Sequence, residues 1–311
     1  MREPSLEYLI PSPLQEVHHP ILHRKQIKLF VKRDDLIHPL LSGNKYRKYK
    51  YNLQHFKDSN FKTLVTYGGA FSNHLHATAA VCASHEISCV GIVRGEDFDP
   101  ENPTLLFCKK NGMKLHFVDR ETYRKKTMSD EINQIISNYP SPFVLAEGGS
   151  NRLALQGVGE ICAEISEQMN VFPDFIFCPV GSGATAAGIL SSIPSSTKLL
   201  AFCVLKNPKL EDVIEKMSGV GQNDNFIFIP DYTFGGYAKT TPGLMSFIDD
   251  FELICNIEID PVYNAKALYG FFDLVQKDYF KTEQTVIWVH TGGLQGKVAM
   301  EYMHHKKLFK K

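Results

Sequence analysis

Asp174-Phe175-Ile176-Phe177-Cys178-Pro179-Val180-Gly181-Ser182-Gly183-Ala184-Thr185-Ala186-Ala187-Gly188 decides the fold. Its first half is apolar on both faces, which suits a strand covered on both sides. Its second half turns through two glycines into a helical run. Strand, tight turn and helix in that order form the repeating unit of a parallel α/β sheet. The same alternation continues on either side. Short apolar runs at 62–66, 88–93, 114–118, 174–179, 199–204 and 285–289 predict strands. Helical patterns at 73–84, 101–111, 122–137, 152–168, 184–192 and 208–217 fall between them.

The glycine turn itself suggests an anion site. Glycines let the backbone approach a ligand closely, and N–H groups at the helix start can cradle a phosphate with the hydroxyls of Ser182 and Thr185. The letters also match the dinucleotide fingerprint, which wants an acidic residue about 20 positions on, at the end of the next strand. That strand ends instead in Val204-Leu205-Lys206-Asn207, and Glu211 and Asp212 come too late. A monophosphate is the better match, with a dinucleotide or a merely tight turn as alternatives.

Lys45 offers covalent chemistry. Leu29-Phe30-Val31-Lys32-Arg33-Asp34-Asp35-Leu36 reads as a short strand ending in charges, Ser42-Gly43-Asn44 as a turn, and Lys45 to Tyr51 as the opening of a helix. There the positive end of the helix dipole disfavours a protonated amine, which makes condensation with a carbonyl easier to reach. Arg47, Lys48 and Lys50 lie alongside, so a solvated basic helix face is the competing reading. Elsewhere, Tyr67 to His74 follows a strand and starts a helix, with Ser72 as N-cap. A free hydroxyl and the Asn73 amide there would suit a carboxylate, although capping alone would explain them. His290-Thr291-Gly292-Gly293 puts a hydroxyl on a glycine turn at the carboxyl end of a strand. Tyr237 and Tyr263 sit in polar, turn-rich stretches where half-buried packing is the plain alternative.

Composition narrows the class. The chain of 311 residues can bury two cores, and its 34 basic against 34 acidic side chains argue against nucleic-acid or membrane-surface partners. No apolar run approaches the roughly 18 residues of a membrane span, and the N-terminus lacks the apolar core of a signal peptide. Seven scattered cysteines without C-x-x-C spacing fit reduced thiols in a cytoplasmic protein and support no metal site.

Six motifs occur in register: Lys32-Arg33-Asp34-Asp35-Leu36, Ser42 to Lys48, Ser72-Asn73-His74, Glu147-Gly148-Gly149-Ser150-Asn151, Asp260-Pro261-Val262-Tyr263 and His290 to Gly293. Together they resemble the pyridoxal-phosphate enzymes of the 1-aminocyclopropane-1-carboxylate (ACC) deaminase and D-cysteine desulfhydrase family, over residues 29 to 297. The resemblance implies a tryptophan synthase β-like fold (type II): two open, mostly parallel sheets flanked by helices, with the cofactor between two lobes. Together with the four strand–helix units of the inner block, it predicts a small substrate-side lobe at 47–153. The large, pyridoxal-phosphate-binding lobe is then built from 1–46 and 154–311. It implies a homodimer, and pyridoxal 5'-phosphate joined covalently to Lys45. The phosphate would rest on Gly181, Ser182, Gly183, Ala184 and Thr185, with a further charge from Lys48. Asn73 would meet the phenolic oxygen and Thr291 the pyridine nitrogen. Ser72, Asn73, His74 and Asn264 would face the substrate, while Tyr237 and Tyr263 exchange protons at the reacting carbon.

Two positions separate the branches. The resemblance gives ring-opening deaminases a glutamate after Asp-Pro-Val-Tyr and a leucine before the last double glycine, whereas desulfhydrases carry a small hydroxyl residue and a threonine. Here these are Asn264 and Thr291; Thr291 sides with the desulfhydrases and Asn264 with neither. Ala70 departs too, from a polar residue. The expectation is β-elimination from a small D-amino acid, as in D-amino acid catabolism. ACC deamination is the alternative within the family, and a catalytically silent binding protein the alternative outside it.

Overall fold

The computed structural model describes residues 7–41, 43–95, 99–221 and 224–308, with side chains up to Met303. In chain order the strands are β1 (Leu14–Glu16), β2 (Lys28–Lys32), β3 (Thr63–Gly69), β4 (Ser88–Arg94) and β5 (Lys114–Val118). They continue as β6 (Pro142–Leu145), β7 (Phe175–Val180), β8 (Lys198–Cys203), β9 (Phe226–Ile229) and β10 (Thr285–Val289).

Two compact units result: Tyr8–Lys48 with Arg152–Leu294, and Tyr49–Asn151 with the segment from Gln295 onward. The first holds a six-stranded sheet in the order β1-β2-β10-β7-β8-β9, parallel except for β1. Alternate residues of its inner strands feed different cores. Val286, Trp288, Phe177 and Phe202 join one cluster, and Ile287, Val289, Ile176 and Cys178 the other. Both faces are therefore apolar, as the unbroken runs in the sequence require.

The second unit holds β5-β4-β3-β6, all parallel. Helix Asn73–Ser84 packs on it so closely that a Cβ at Gly68 would lie 2.5 Å from Leu75 Cγ. The inner block of this unit runs from Tyr49 to Asn151. Helix Gln295–Leu308, expected in the larger lobe, clusters with the smaller unit, where Tyr302 Oη donates to Asp99 (2.7 Å). The predicted helix 122–137 is two helices, Arg120–Lys125 and Asp130–Ser137, because Lys126 adopts φ +52° between them. No helix of the described residues is long and apolar enough to cross a membrane.

Candidate active site

β2, β10 and β7 are parallel neighbours, so the loops that follow them leave the same edge of the large sheet. The loop after β2 closes on Gly43, whose φ of +64° suits glycine and whose N–H donates to Asp34 O (2.7 Å). A Cβ there would lie 1.9 Å from the Thr291 carbonyl oxygen, which also accepts from Asn44 N (3.2 Å). Gly43 is thus what lets the β2 and β10 loops meet. Ser42 lies outside the described residues.

Helix Asn44–Asp58 starts at once, with Lys45 as its second residue. The Asn44 side chain accepts from Lys45 Nζ (2.8 Å) and donates to Thr185 Oγ1 (2.9 Å), so one amide links the lysine to the glycine loop. Burial pushes the Lys45 ammonium down to about 8, against the opposing pull of the Asp260 carboxylate. Lys48 is buried and its Nζ lies 3.4 Å from Ser182 Oγ. Burial, and then the neighbouring Lys45, lower it well below an ordinary lysine.

Within the basic run Lys50 is exposed, whereas Arg47 and Lys48 turn inward. Arg47 is fully buried, and its guanidinium binds Asp34 (2.8 Å) and Glu164 together. Lys32 binds Glu164 (2.6 Å), and Ser12 Oγ donates to Asp34 (2.7 Å). This set fixes the turn whose Asp34 carbonyl holds Gly43. Arg47 and Glu164 were hidden in the sequence by their ordinary settings; only the three-residue helical spacing of Arg47 from Asn44 hinted at an inward face.

Beyond β7, Gly181 leaves room for the Tyr263 ring, which a Cβ would approach to 2.9 Å, and Gly183 takes φ +87° just before helix Ala184–Leu190. Buried Ala184 and Thr185 begin that helix. Their N–H groups belong to a first turn, which has no acceptor within the helix. The Tyr237 and Tyr263 rings meet edge to face, 6.2 Å between centroids.

Beyond β10, Thr291 is held by Asn264. The Asn264 Oδ1 accepts from Thr291 N (3.2 Å) and Oγ1 (3.4 Å), while its Nδ2 donates to Asp260 Oδ2 (2.6 Å) and Gly292 O (2.9 Å). Asn264 is wholly buried, so the expectation that it faces a substrate is corrected: every polar atom of its amide is engaged behind Thr291. His290 Nδ1 accepts from Gly292 N (3.2 Å), which leaves Nε2 to donate to Glu258 O (2.8 Å).

In the smaller unit Ser72 caps its helix, accepting from His74 N and Leu75 N (both 3.2 Å), with Asn73 as the first helical residue. His74 is a second correction. Its ring is buried against Thr66 Oγ1 (2.8 Å) and stacked on Tyr49, so it serves the core and does not face a substrate.

A half-buried amine of lowered basicity at the start of the helix after β2, with Lys48 one turn on, and a glycine cradle with Ser182 and Thr185 after β7 define a class: an α/β enzyme that binds a phosphorylated carbonyl compound through a lysine. Among the described residues no cluster suits a metal ion. A family model described as pyridoxal-phosphate dependent enzyme matches residues 7–292, and the chain belongs to that family. Pyridoxal phosphate is its cofactor, and the cradle and amine fit that group. The bifunctional mitochondrial D-cysteine desulfhydrase/ACC deaminase of Arabidopsis thaliana is 31% identical over 92% of this chain and 77% of its own length. D-cysteine desulfhydrase of Klebsiella pneumoniae is 28% identical over 94% of each chain. Among solved structures, an ACC deaminase homologue superposes with a TM-score of 0.82 at 25% identity, covering 97% of this chain and 94% of its own. The O-acetylserine dependent cystathionine beta-synthase of Helicobacter pylori shares the type II fold, with a TM-score of 0.69 at 12% identity over 94% of this chain and 96% of its own.

Proposed function

We propose that the protein eliminates a β-substituent from a small D-amino acid, with D-cysteine and water giving pyruvate, ammonia and hydrogen sulfide. The observation that carries this reading is the Asn264–Thr291 pair. Where the deaminase pattern has a carboxylate, Asn264 is neutral and holds the Thr291 hydroxyl in place. The nearby Asp260 carboxylate is already bound by the backbone of Val262 (3.0 Å) and Tyr263 (2.7 Å) and by Asn264. Thr291 therefore presents a neutral hydroxyl, the pattern of the desulfhydrase branch.

Pyridoxal phosphate, when bound, supplies the carbonyl that captures the amino group and the ring that withdraws electrons from it. The chain's own residues do the rest. Gly181, Ser182, Gly183, Ala184, Thr185 and Lys48 would hold the phosphate, and Asn73 and Thr291 would be the residues that orient the ring. Lys45, whose basicity burial lowers to about 8, would be the amine that holds the cofactor's carbonyl carbon and the base that takes the substrate α-proton. Ser72 meets the substrate carboxylate, and Tyr263 and Tyr237 exchange protons at the reacting carbon. The protein works in the cytoplasm as a homodimer; its seven cysteines are all free thiols, in keeping with that compartment. The test is a panel of D- and L-amino acids plus ACC, read as pyruvate and sulfide against 2-oxobutanoate. D-cysteine should be preferred. Faster turnover of ACC than of D-cysteine at equal concentration would move the enzyme to the deaminase branch, the reading favoured by its resemblance to the ACC deaminase homologue.

A further inference from the structure

Lys266 is a fully buried lysine that the reaction above does not use. It stands on helix Asn264–Gln276, and its Nζ donates to Thr233 O (2.9 Å) and to Gly236 O (2.7 Å). Those same two carbonyls close consecutive turns: Gly236 N donates to Thr233 O (2.9 Å), and Lys239 N to Gly236 O (3.2 Å). One side chain thus clamps both turns at their acceptors. The backbone between them needs a clamp. Phe234 (φ +50°), Gly235 (+92°), Gly236 (+114°) and Ala238 (+52°) all lie in the left-handed region, which is unfavourable for the two non-glycine residues. Tyr237 sits inside this double turn, and its ring meets edge to face that of Tyr263, which in turn abuts Gly181.

We propose that Lys266 is a positioning residue: it fixes the Thr233–Lys239 double turn and so sets turnover through Tyr237, without touching the substrate. The proposal rests on the reading of Tyr237 as a substrate-side group. Lys266→Met keeps the length and apolar stem while removing the donors. In the holoenzyme it should raise hydrogen exchange at Gly236 and Lys239 at least tenfold. It should also lower kcat at least tenfold, with KM for the amino acid and cofactor occupancy changed less than threefold. Tyr237→Phe should produce a comparable fall, and the double variant no further one. Should Lys266→Met fail to fold, Gly236→Ala loosens the same turn from the backbone side and should give the same kinetic signature.

Unchanged exchange at Gly236 and Lys239 would overturn the clamp. Faster exchange with unaltered kcat, or losses that multiply in the double variant, would overturn its role in turnover. The exchange arm is read without substrate, and the kinetic arm on whichever amino acid the wild type turns over best. A failed branch assignment therefore leaves both arms legible.

Discussion

At the scale of single residues, burial does two different jobs. At Lys45 it lowers an amine to about 8, whereas an ordinary lysine loses its proton near 10.4. Only the neutral amine attacks a carbonyl, so capture of pyridoxal phosphate by the apoprotein should accelerate as pH rises through about 8 and level off above it. Stopped-flow absorbance across pH 6.5–10.5 (roughly the interval bracketing both values) measures this; a rise continuing to the upper limit would leave Lys45 an ordinary lysine. In Lys45→Ala the covalent absorbance should vanish, and borohydride should label no other lysine. At Asn264 burial enforces neutrality. Its Nδ2 stands 2.6 Å from an Asp260 oxygen, so Asn264→Asp sets two carboxyl groups face to face and strands Gly292 O. Urea unfolding should show a loss of about 3 kcal/mol or more. For the same reason, grafting a glutamate into this position cannot by itself convert one branch of the family into the other.

Among the elements, the β2 loop is the best test of what holds the site. Removing Arg47 leaves Asp34 and Glu164 as buried charges without their main partner. Arg47→Met should therefore lower stability by about 3–5 kcal/mol, measured by denaturant unfolding. Burial alone would raise the Glu164 carboxyl, but the hydrogen bonds and charge of Arg47, then of Lys32, bring it below its usual value. A depressed carboxyl stabilises the fold above its unfolded value and loses that contribution as pH falls through its folded one. Wild-type stability should therefore drop below about pH 4.3, and the Arg47→Met variant should show a shallower drop. Much of this element was legible in advance. The turn, the helix start and the lysine follow from glycine, asparagine and spacing. The inward turn of Arg47 was not, since its partner Glu164 stands 117 positions away in an unremarkable helix. His74 was misjudged for a similar reason: the local pattern places it beside a receptor site, while its ring answers to Thr66 and Tyr49 in the core.

For the molecule as a whole, the apolar runs revealed the parallel sheets because strands covered on both faces leave an unmistakable trace. The edge strands β1 and β9 and the short β6 left none, being only three or four residues long and partly exposed. Which unit owns the last helix was equally hidden, as it depends on Tyr302 reaching Asp99 across 203 positions. Ending the chain at Leu294 should speed hydrogen exchange in helix Pro103–Lys110, against which that helix packs, while β7 and β8 remain protected. The interleaved connectivity has a consequence for synthesis on the ribosome. All four strands of the smaller sheet have been made once Leu145 is added, but β2 must pair with β10, where Val31 lies opposite Trp288. About 140 residues separate the end of β6 from the start of β10, which at bacterial and eukaryotic elongation speeds is roughly 7–30 s. Throughout that interval the nascent chain carries one sheet ready to form and, upstream of it, an apolar strand with an unpaired edge. Slow codons or chaperone scarcity between those two points would thus fall on the larger sheet, the one that bears Lys45.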